Sequence, residues 1–305
     1  MTTEWSPSRL QRLLECGEAY RREYLVGDGE RLNSASTLMG RSFHRAAQLA
    51  AEAAAAEQEI SQAFALDNAK LFFEMQVEED QATPNPIPWS EDALDARHEN
   101  LRRMTMLLLK RLPQVWAAYG RPTLSEWEFR RLPWRNHLLR GYLDLATDRH
   151  VLIDWKTGRR QFDREKARTS VQRLLYSAAY QEAYGVFPDL FVFVQVTRPR
   201  KADGPYRFYR QAVYQRVEEL DLLDVMLTRA ELIEASGAFQ YNPQGWLCHP
   251  DRCQFYDSCP ASLIAAEAAE EEEDDGADTS ATGGPGRLEG ETGGDPRPGD
   301  AAVGA

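Results

Sequence analysis

Within GYLDLATDRHVLIDWKTG, residues 141–158, Asp144, Asp154 and Lys156 interrupt two short apolar strands. Side chains alternate along a strand, so Asp154 and Lys156 share one face while Val151, Ile153 and Trp155 share the other. If the chain turns back around Arg149, Asp144 falls opposite Asp154, and like charges facing each other across a ladder are destabilising. A cation between them removes that cost. A hard divalent ion such as Mg²⁺ takes carboxylate oxygens and keeps several waters, while a neighbouring lysine can steady a developing anion or orient an attacking water. A lone D-x-K is more often a surface ion pair on a hairpin, so the case depends on what accompanies it.

Cysteines supply the second constellation. Cys16 lies near the N-terminus, and Cys248, Cys253 and Cys259 lie in WLCHPDRCQFYDSCP. Clustered cysteines in a chain without an export signal read as metal ligands rather than a disulfide framework. Zinc ribbons favour paired C-x₂₋₄-C knuckles, whereas here one ligand would come from the far N-terminus and three from an irregular C-x₄-C-x₅-C loop; a [4Fe–4S] cluster suits that arrangement better. His249 beside Cys248 could replace a thiolate, and unconnected buried thiols are the plain alternative.

The elements that must position these residues follow from pattern. Ser6 as N-cap and Pro7 at the first helical position open an N-terminal helix over 6–25. An alanine-rich amphipathic helix over 36–60 follows, then another from about Asp92 to Tyr119 after the Pro-rich break TPNPIPWSED. SEWEFRRLPW, HLLRGYLDLAT and HVLIDWKTG read as successive strands. A helix over 169–185 precedes the apolar run LFVFVQVT, a strand buried on both faces. A last strand, RFYRQAVYQR, leads into a helix around 218–233. The order is helices, then β-β-β-α-β-β-α, then the cysteine-bearing end, an α/β arrangement with a mixed central sheet flanked by helices.

The 305 residues are 43% hydrophobic, enough for one large domain or two modest ones. No apolar run reaches the roughly 18 residues of a membrane span, and MTTEWSPSRL has neither a basic n-region nor an apolar h-region, so the expected location is the cytoplasm. From Ala261 onward twelve acidic residues face two arginines, which accounts for −10 of the formal −12 and leaves the body near neutral. That Gly-rich tail, 261–305, has little to bury and is expected to be disordered. In the body, arginines concentrate in EFRRLPWRNHLLR, GRRQFDREKAR and TRPRKADGPYRFYR, with Trp134, Tyr206 and Tyr209 available to stack on bases.

These residues resemble the PD-(D/E)xK nucleases of the RecB type, in particular the iron–sulfur branch that includes the AddB nuclease domain, exonuclease V and the CRISPR-adaptation exonucleases. SPSRLQRLLECGEAYRREYL is similar to that family's opening S-x-S-r-l-x-x-y-x-x-C-P helix, with Gly17 in place of the usual proline. MGRSFHRAA resembles its G-x-x-x-H segment, GYLDLATDRHVLIDWKTG its G-x-x-D…D-x-K-T-G core, QRLLY its Q-x-x-x-Y helix motif, and CHPDRCQFYDSC its cluster loop, with x₄ where x₂ is frequent.

The resemblance implies a restriction-endonuclease-like core over residues 1–260, with a helical insertion at about 35–120 and a cluster loop at 246–260. It implies catalytic roles for Asp144, Asp154, Lys156, Gln172 and Tyr176 with Glu126 as the upstream acid, for which Glu128 competes. It further implies Mg²⁺ or Mn²⁺ held by His44, Asp144, Asp154 and the carbonyl of Trp155, and a [4Fe–4S] cluster on Cys16, Cys248, Cys253 and Cys259. The expected activity is hydrolysis of DNA phosphodiester bonds by an exonuclease acting on single-stranded or free-ended DNA in repair, recombination or defence. The alternative is a non-catalytic or weakly catalytic iron–sulfur DNA-binding subunit of a helicase–nuclease complex. No Walker G-x-x-x-x-G-K-[ST] occurs, so a helicase or recombination motor would be a separate chain.

Overall fold

A computed structural model describes residues 3–28, 34–199, 201, 204–250, 252–262 and 264. The tail expected to be disordered lies outside the described residues from 265 on, and Ala261 and Ser262, placed in that tail by composition, are buried.

The strands are β1 (Glu4–Trp5), β2 (Pro122–Trp134), β3 (His137–Thr147), β4 (Leu152–Gly158), β5 (Leu190–Thr197) and β6 (Arg207–Tyr214). They form one mixed six-stranded sheet in which β3, β4, β5 and β6 follow one another. Strand β2 runs antiparallel along the length of β3. The other edge of β3 is shared: β1 pairs at Leu138 and Leu139, and β4 pairs only at Leu145 and Ala146. Between those two pairings the edge of β3 from Arg140 to Asp144 has no strand partner. From Leu152 to Gly158, β4 instead pairs in parallel with β5. The sheet therefore splits beside Asp144.

Helices cover both faces. Leu10 and Leu13 of α1 (Pro7–Glu15), Leu174, Leu175 and Ala178 of α7 (Val171–Tyr184) and Leu223 and Leu227 of α8 (Leu220–Ser236) share one core with Phe191 and Phe193. The opposite core joins α3 (Ala35–Ala55), α4 (Gln62–Gln81) and α5 (Glu91–Tyr119) to Val192, Val194 and Val196. Strand β5 is thus buried on both faces, as its unbroken apolar run requires, each large side chain contributing about 1.5–3 kcal/mol.

Strand β1 and a short helix at Arg164–Arg168 were not expected from the sequence, and two longer helical segments depart from expectation. Helix α4 falls where no helix was expected, because its buried stripe runs Ala65, Ala69, Phe73, Gln76 and Asp80 and so lacks an apolar signature. Gln76 donates from Nε2 to the Ser42 hydroxyl at 2.8 Å and the Leu38 carbonyl at 3.2 Å, which satisfies the amide nitrogen, while its Oε1 is buried without a hydrogen-bond partner among the described residues. The single helix expected over 6–25 breaks at Cys16, whose backbone is extended (φ −160°, ψ 107°). The chain restarts as α2 (Gly17–Tyr20) and a π-helical turn, Arg21–Val26. At Gly17 the backbone of Gln240 passes so near that a Cβ would sit 2.8 Å from its amide nitrogen. Glycine is needed for that approach, which brings the C-terminal loop to Cys16.

Candidate active site

Register assembles the acids. Strand β2 pairs Ser125 with Leu145 and Trp127 with Leu143, so Glu126 stands opposite Asp144. The pairing of Leu145 with Ile153 sets Asp154 beside Asp144 on the other edge. The three carboxylates form one row across β2, β3 and β4. The alternation slips within that row: Leu143 packs in the core of α1 and α7, whereas Leu145 packs in the core of α3 and α5. Glu126 itself has φ of 49°, a left-handed backbone in a non-glycine residue, which costs on the order of 1–3 kcal/mol. Strain of that kind persists only where surrounding structure imposes it.

His44 reaches the row from α3. One ligand atom each from His44, Glu126 and Asp144 lies within 4.8 Å of the others, the one such trio among the described residues. His44 Nδ1 is 3.5 Å from Asp144 Oδ1. Asp144 Oδ2 accepts a 2.7 Å hydrogen bond from the Trp155 amide, exposed by the split between β3 and β4. Asp154 belongs to a second group: its Oδ2 is 2.8 Å from Lys156 Nζ, and its Oδ1 accepts from Gln172 Nε2 at 2.6 Å. Lys156 Nζ donates to Gln172 Oε1 at 2.8 Å, which closes a three-membered ring of contacts. Gln172 and Tyr176, one turn apart on α7, do share the face turned to the sheet. Tyr176 is buried, with its ring against Gly141 of β3 and its hydroxyl near Gln172 and the Tyr142 backbone. Gly141 makes room for it: a Cβ there would lie 2.9 Å from Tyr176 Cε1 and 2.8 Å from Phe129 Cζ.

The electrostatics follow from crowding. Burial, and then the Asp144 charge, pushes the Glu126 carboxyl up to about 7. Burial also raises Asp154, with Lys156 opposing and Asp144 adding to the rise. Burial works against the Asp144 charge as well, but His44, Lys156 and the Trp155 amide hold its pKa below the ordinary range. Burial pulls His44 down, yet Asp144, Asp154 and Glu126 overcome it and push its pKa up to about 9. An imidazole and several carboxylates with too little positive charge among them form a donor set that fits a hard divalent cation. The group opens into a cleft of about 470 Å³ bordered by Ser36, Gly40, His44, Glu126, Lys156 and Thr157.

Glu128, the rival upstream acid, is two residues further along β2 and opposite Tyr142. It is exposed and engaged by the Tyr142 hydroxyl at 2.5 Å and by Arg130. The row therefore contains Glu126. The stacking surfaces expected from sequence change too. Trp134 is buried and stacked on His137, so it is closed to a base, whereas Tyr206 and Tyr209 are half-buried. In the first arginine run, Arg130, Arg131 and Arg135 pair with Glu128, Glu4 and Asp221, so that run is largely neutralised.

In a pocket that shares no lining residue with the cleft, Cys16, Cys248, Cys253 and Cys259 lie with Leu247 and Phe255, and all four are free thiols. Burial, then the other three thiols, raises the Cys248 pKa. Contacts independent of the cysteines already hold the chain ends there. Asn242 Nδ2 donates to the Glu15 carbonyl at 2.9 Å, and the Glu18 amide donates to the Gln240 carbonyl at 3.1 Å.

This split sheet with a carboxylate row, a D-x-K lysine and a helix packed against β3 defines a class of phosphodiester hydrolases. The PD-(D/E)XK nuclease superfamily matches residues 4–260, and the chain belongs to that superfamily. No curated protein matches the sequence. Among solved structures, a provisionally named exonuclease from Eubacterium rectale aligns with a TM-score of 0.47 at 11% identity, over 75% of this chain and 79% of its own. SSO0001 aligns with a TM-score of 0.30 at 14% identity, over 83% of this chain and 95% of its own. Among the described residues no helix is long and apolar enough to cross a membrane.

Proposed function

We propose that this chain is a Mg²⁺- or Mn²⁺-dependent deoxyribonuclease of the RecB-like iron–sulfur branch, acting on single-stranded or free-ended DNA in the cytoplasm. The observation that carries this reading is the row Glu126, Asp144, Asp154, with His44 at one side and Lys156 held by Gln172 at the other. His44, Asp144, Asp154 and the Trp155 carbonyl, with Glu126 adjoining, would hold the cation. Bound there, a divalent cation supplies Lewis acidity toward a phosphate oxygen and lowers the pKa of water. The protein's own part is electrostatic and positional. Gln172 fixes Lys156 Nζ at the mouth of the cleft, where a cation stabilises charge developing on the phosphate. Tyr176 packs against β3 beside Gln172, one turn further along the same helix.

The same reading takes residues 1–260 as one nuclease unit, with 35–120 as its helical insertion and the four cysteines as ligands of a [4Fe–4S] cluster. Support for the cluster is their convergence on a single pocket. Anaerobically purified protein incubated with end-labelled linear and circular DNA, with Mn²⁺ or with EDTA, tests the proposal. Cleavage of linear single strands only with Mn²⁺ is expected. Tight DNA binding with no cleavage at any metal concentration would favour instead a non-catalytic subunit serving a separate helicase.

A further inference from the structure

The parallel strands β4 and β5 end side by side, Gly158 paired with Thr197, and each is followed at once by an arginine. Arg159 and Arg198 thus emerge together at the carboxyl ends of adjacent parallel strands, where open α/β sheets commonly bind ligands. The segment carrying Arg159 is pinned. Buried Gln195 accepts from the Phe162 amide at 2.6 Å and donates to the Arg160 carbonyl at 2.9 Å. The Arg198 amide donates to the Gly158 carbonyl at 2.9 Å, which ties the two strand ends together. Burial first, and then the charges of Arg97 and Arg159, pull the Arg198 pKa down to about 10, and burial and Arg159 lower that of Arg97.

The guanidinium groups of Arg159 and Arg198, bordering one pocket, repel each other, and among the described residues neither has a carboxylate in ion-pair contact. Arg198 Nη2 donates to the Ser36 hydroxyl at 3.0 Å, while its Nε is buried without a hydrogen-bond partner. Arg159 and Arg198 border a pocket of about 470 Å³. Ser36 borders the cleft that contains His44 and Lys156, so its hydrogen bond to Arg198 links the two spaces at the first turn of α3. His44 is eight residues further along that helix, about 12 Å at 1.5 Å per residue.

We propose that Arg159 and Arg198 form a phosphate subsite that grips the nucleic-acid strand a short step beyond the scissile phosphate, across Ser36 from the acidic row. The inference rests on the nuclease reading of the neighbouring cleft, and it names the contact that sets where along the strand the cleft engages. Guanidinium forks suit phosphate oxygens. A phosphate there would accept hydrogen bonds from the accessible guanidinium nitrogens of Arg159 and Arg198 and relieve the repulsion between them. That phosphate could be internal to the strand or terminal at its end, and the two sources are separable.

The test uses metal-free full-length protein in EDTA, so that binding is read without cleavage. Fluorescent single strands carry one neutral methylphosphonate at successive positions, or a 5′- or 3′-terminal phosphate or hydroxyl. Wild type should lose about tenfold in affinity at one internal position or on removal of one terminal phosphate. Arg198→Gln and Arg159→Gln should be insensitive to that same change, and each should lower the slope of log K against log salt by about 0.7, one phosphate contact. Arg159 is exposed, so its variant keeps the proposal testable should Arg198→Gln fold poorly. An internal position identifies a backbone phosphate, and a terminal one a strand end. Variants that bind every strand like wild type with an unchanged slope would overturn the subsite. If wild type binds no strand, the nuclease reading fails by itself. The subsite is then decided by inorganic phosphate at constant ionic strength: a rise in Tm that Arg159→Gln lacks retains an anion site, and equal Tm values refute it.

Discussion

The Trp155 amide donates to the Asp144 carboxylate across 2.7 Å, at the point where β4 parts from β3. An amide left free by a dividing sheet costs about 1–3 kcal/mol when buried and unpaired, and an aspartate in that position needs a donor. Each group answers the other's need. The other oxygen of the same carboxylate is 3.5 Å from His44 Nδ1, so Asp144 belongs at once to the split in the sheet and to the acidic site.

Substitutions should separate the row from its neighbours. Asp144→Asn, Asp154→Asn and Lys156→Ala are each expected to lower the Mn²⁺-dependent cleavage rate by at least about 10²-fold, the scale of losing one preorganised electrostatic group. Glu126→Gln should fall in the same range, and Glu128→Gln should stay within about twofold of wild type, since its carboxylate is exposed and engaged by Tyr142 and Arg130. Single-turnover rates on a labelled strand make the comparison. An essential Glu128 beside a dispensable Glu126 would reverse the assignment of the upstream acid.

The metal-free protein should lose stability as pH rises. Glu126 is raised from 4.5 to about 7, so folded protein binds its proton more tightly than unfolded protein, and the penalty for ionising it grows as pH climbs from 4.5 to 7. His44 is raised from 6.5 to about 9; its contribution is complete below 6.5 and is lost as pH passes through 9. Both slopes have the same sign. Chemical denaturation in EDTA between about pH 5 and pH 9 should give falling stability, Glu126→Gln should flatten the part below 7, and saturating Mn²⁺ should flatten the whole. A Glu126→Gln profile parallel to wild type would disprove this account of the site's charge.

Gly141 is predicted to be intolerant of the smallest side chain. Its Cβ would meet two buried rings, Phe129 and Tyr176, at under 3 Å, and neither has free space to move into. Gly141→Ala should cost about 1–3 kcal/mol as overpacking does, and should lower activity by displacing Tyr176 from β3. Adding Phe129→Leu should recover part of the stability. Unchanged urea midpoints for Gly141→Ala would mean the rings adapt freely.

The cysteine pocket makes a prediction about metal rather than fold. Anaerobic protein should carry iron and sulfide near four each, the usual stoichiometry of such a cluster, and Cys16→Ser should lose both. Because Asn242, Gln240 and Glu234 already hold the N-terminal helices, Cys16→Ser should remain folded with a lowered Tm instead of unfolding outright. Full iron content in Cys16→Ser, or zinc in place of iron, would remove the four-cysteine cluster.

Much of this was legible along the chain. Period-two alternation separated Asp154 and Lys156 from Val151, Ile153 and Trp155, and the latter three do share one core. Helical spacing put Gln172 and Tyr176 on a common face, and Ser6 with Pro7 marked the start of α1, where the Ser6 hydroxyl accepts from the Arg9 amide at 3.2 Å. These are properties of one element at a time, set by backbone geometry that repeats every two or 3.6 residues. The family motifs extend that reach because their spacings encode the same local geometry. Tertiary structure decided what depends on register between distant segments. Glu126 and Glu128 are equivalent by alternation, and only the pairing of β2 with β3 and the left-handed turn at Glu126 distinguish them. Arginine runs 128–140, 158–168 and 197–210 look alike in sequence. The first is neutralised by acids from β1 and α8, while the others meet at two strand ends without such partners among the described residues. The approach of Gln240 to Gly17 likewise depends on packing of helices more than 200 residues apart. A charge's partner and a side chain's neighbours across a sheet are fixed by folding in three dimensions, and spacing along one strand carries no record of them.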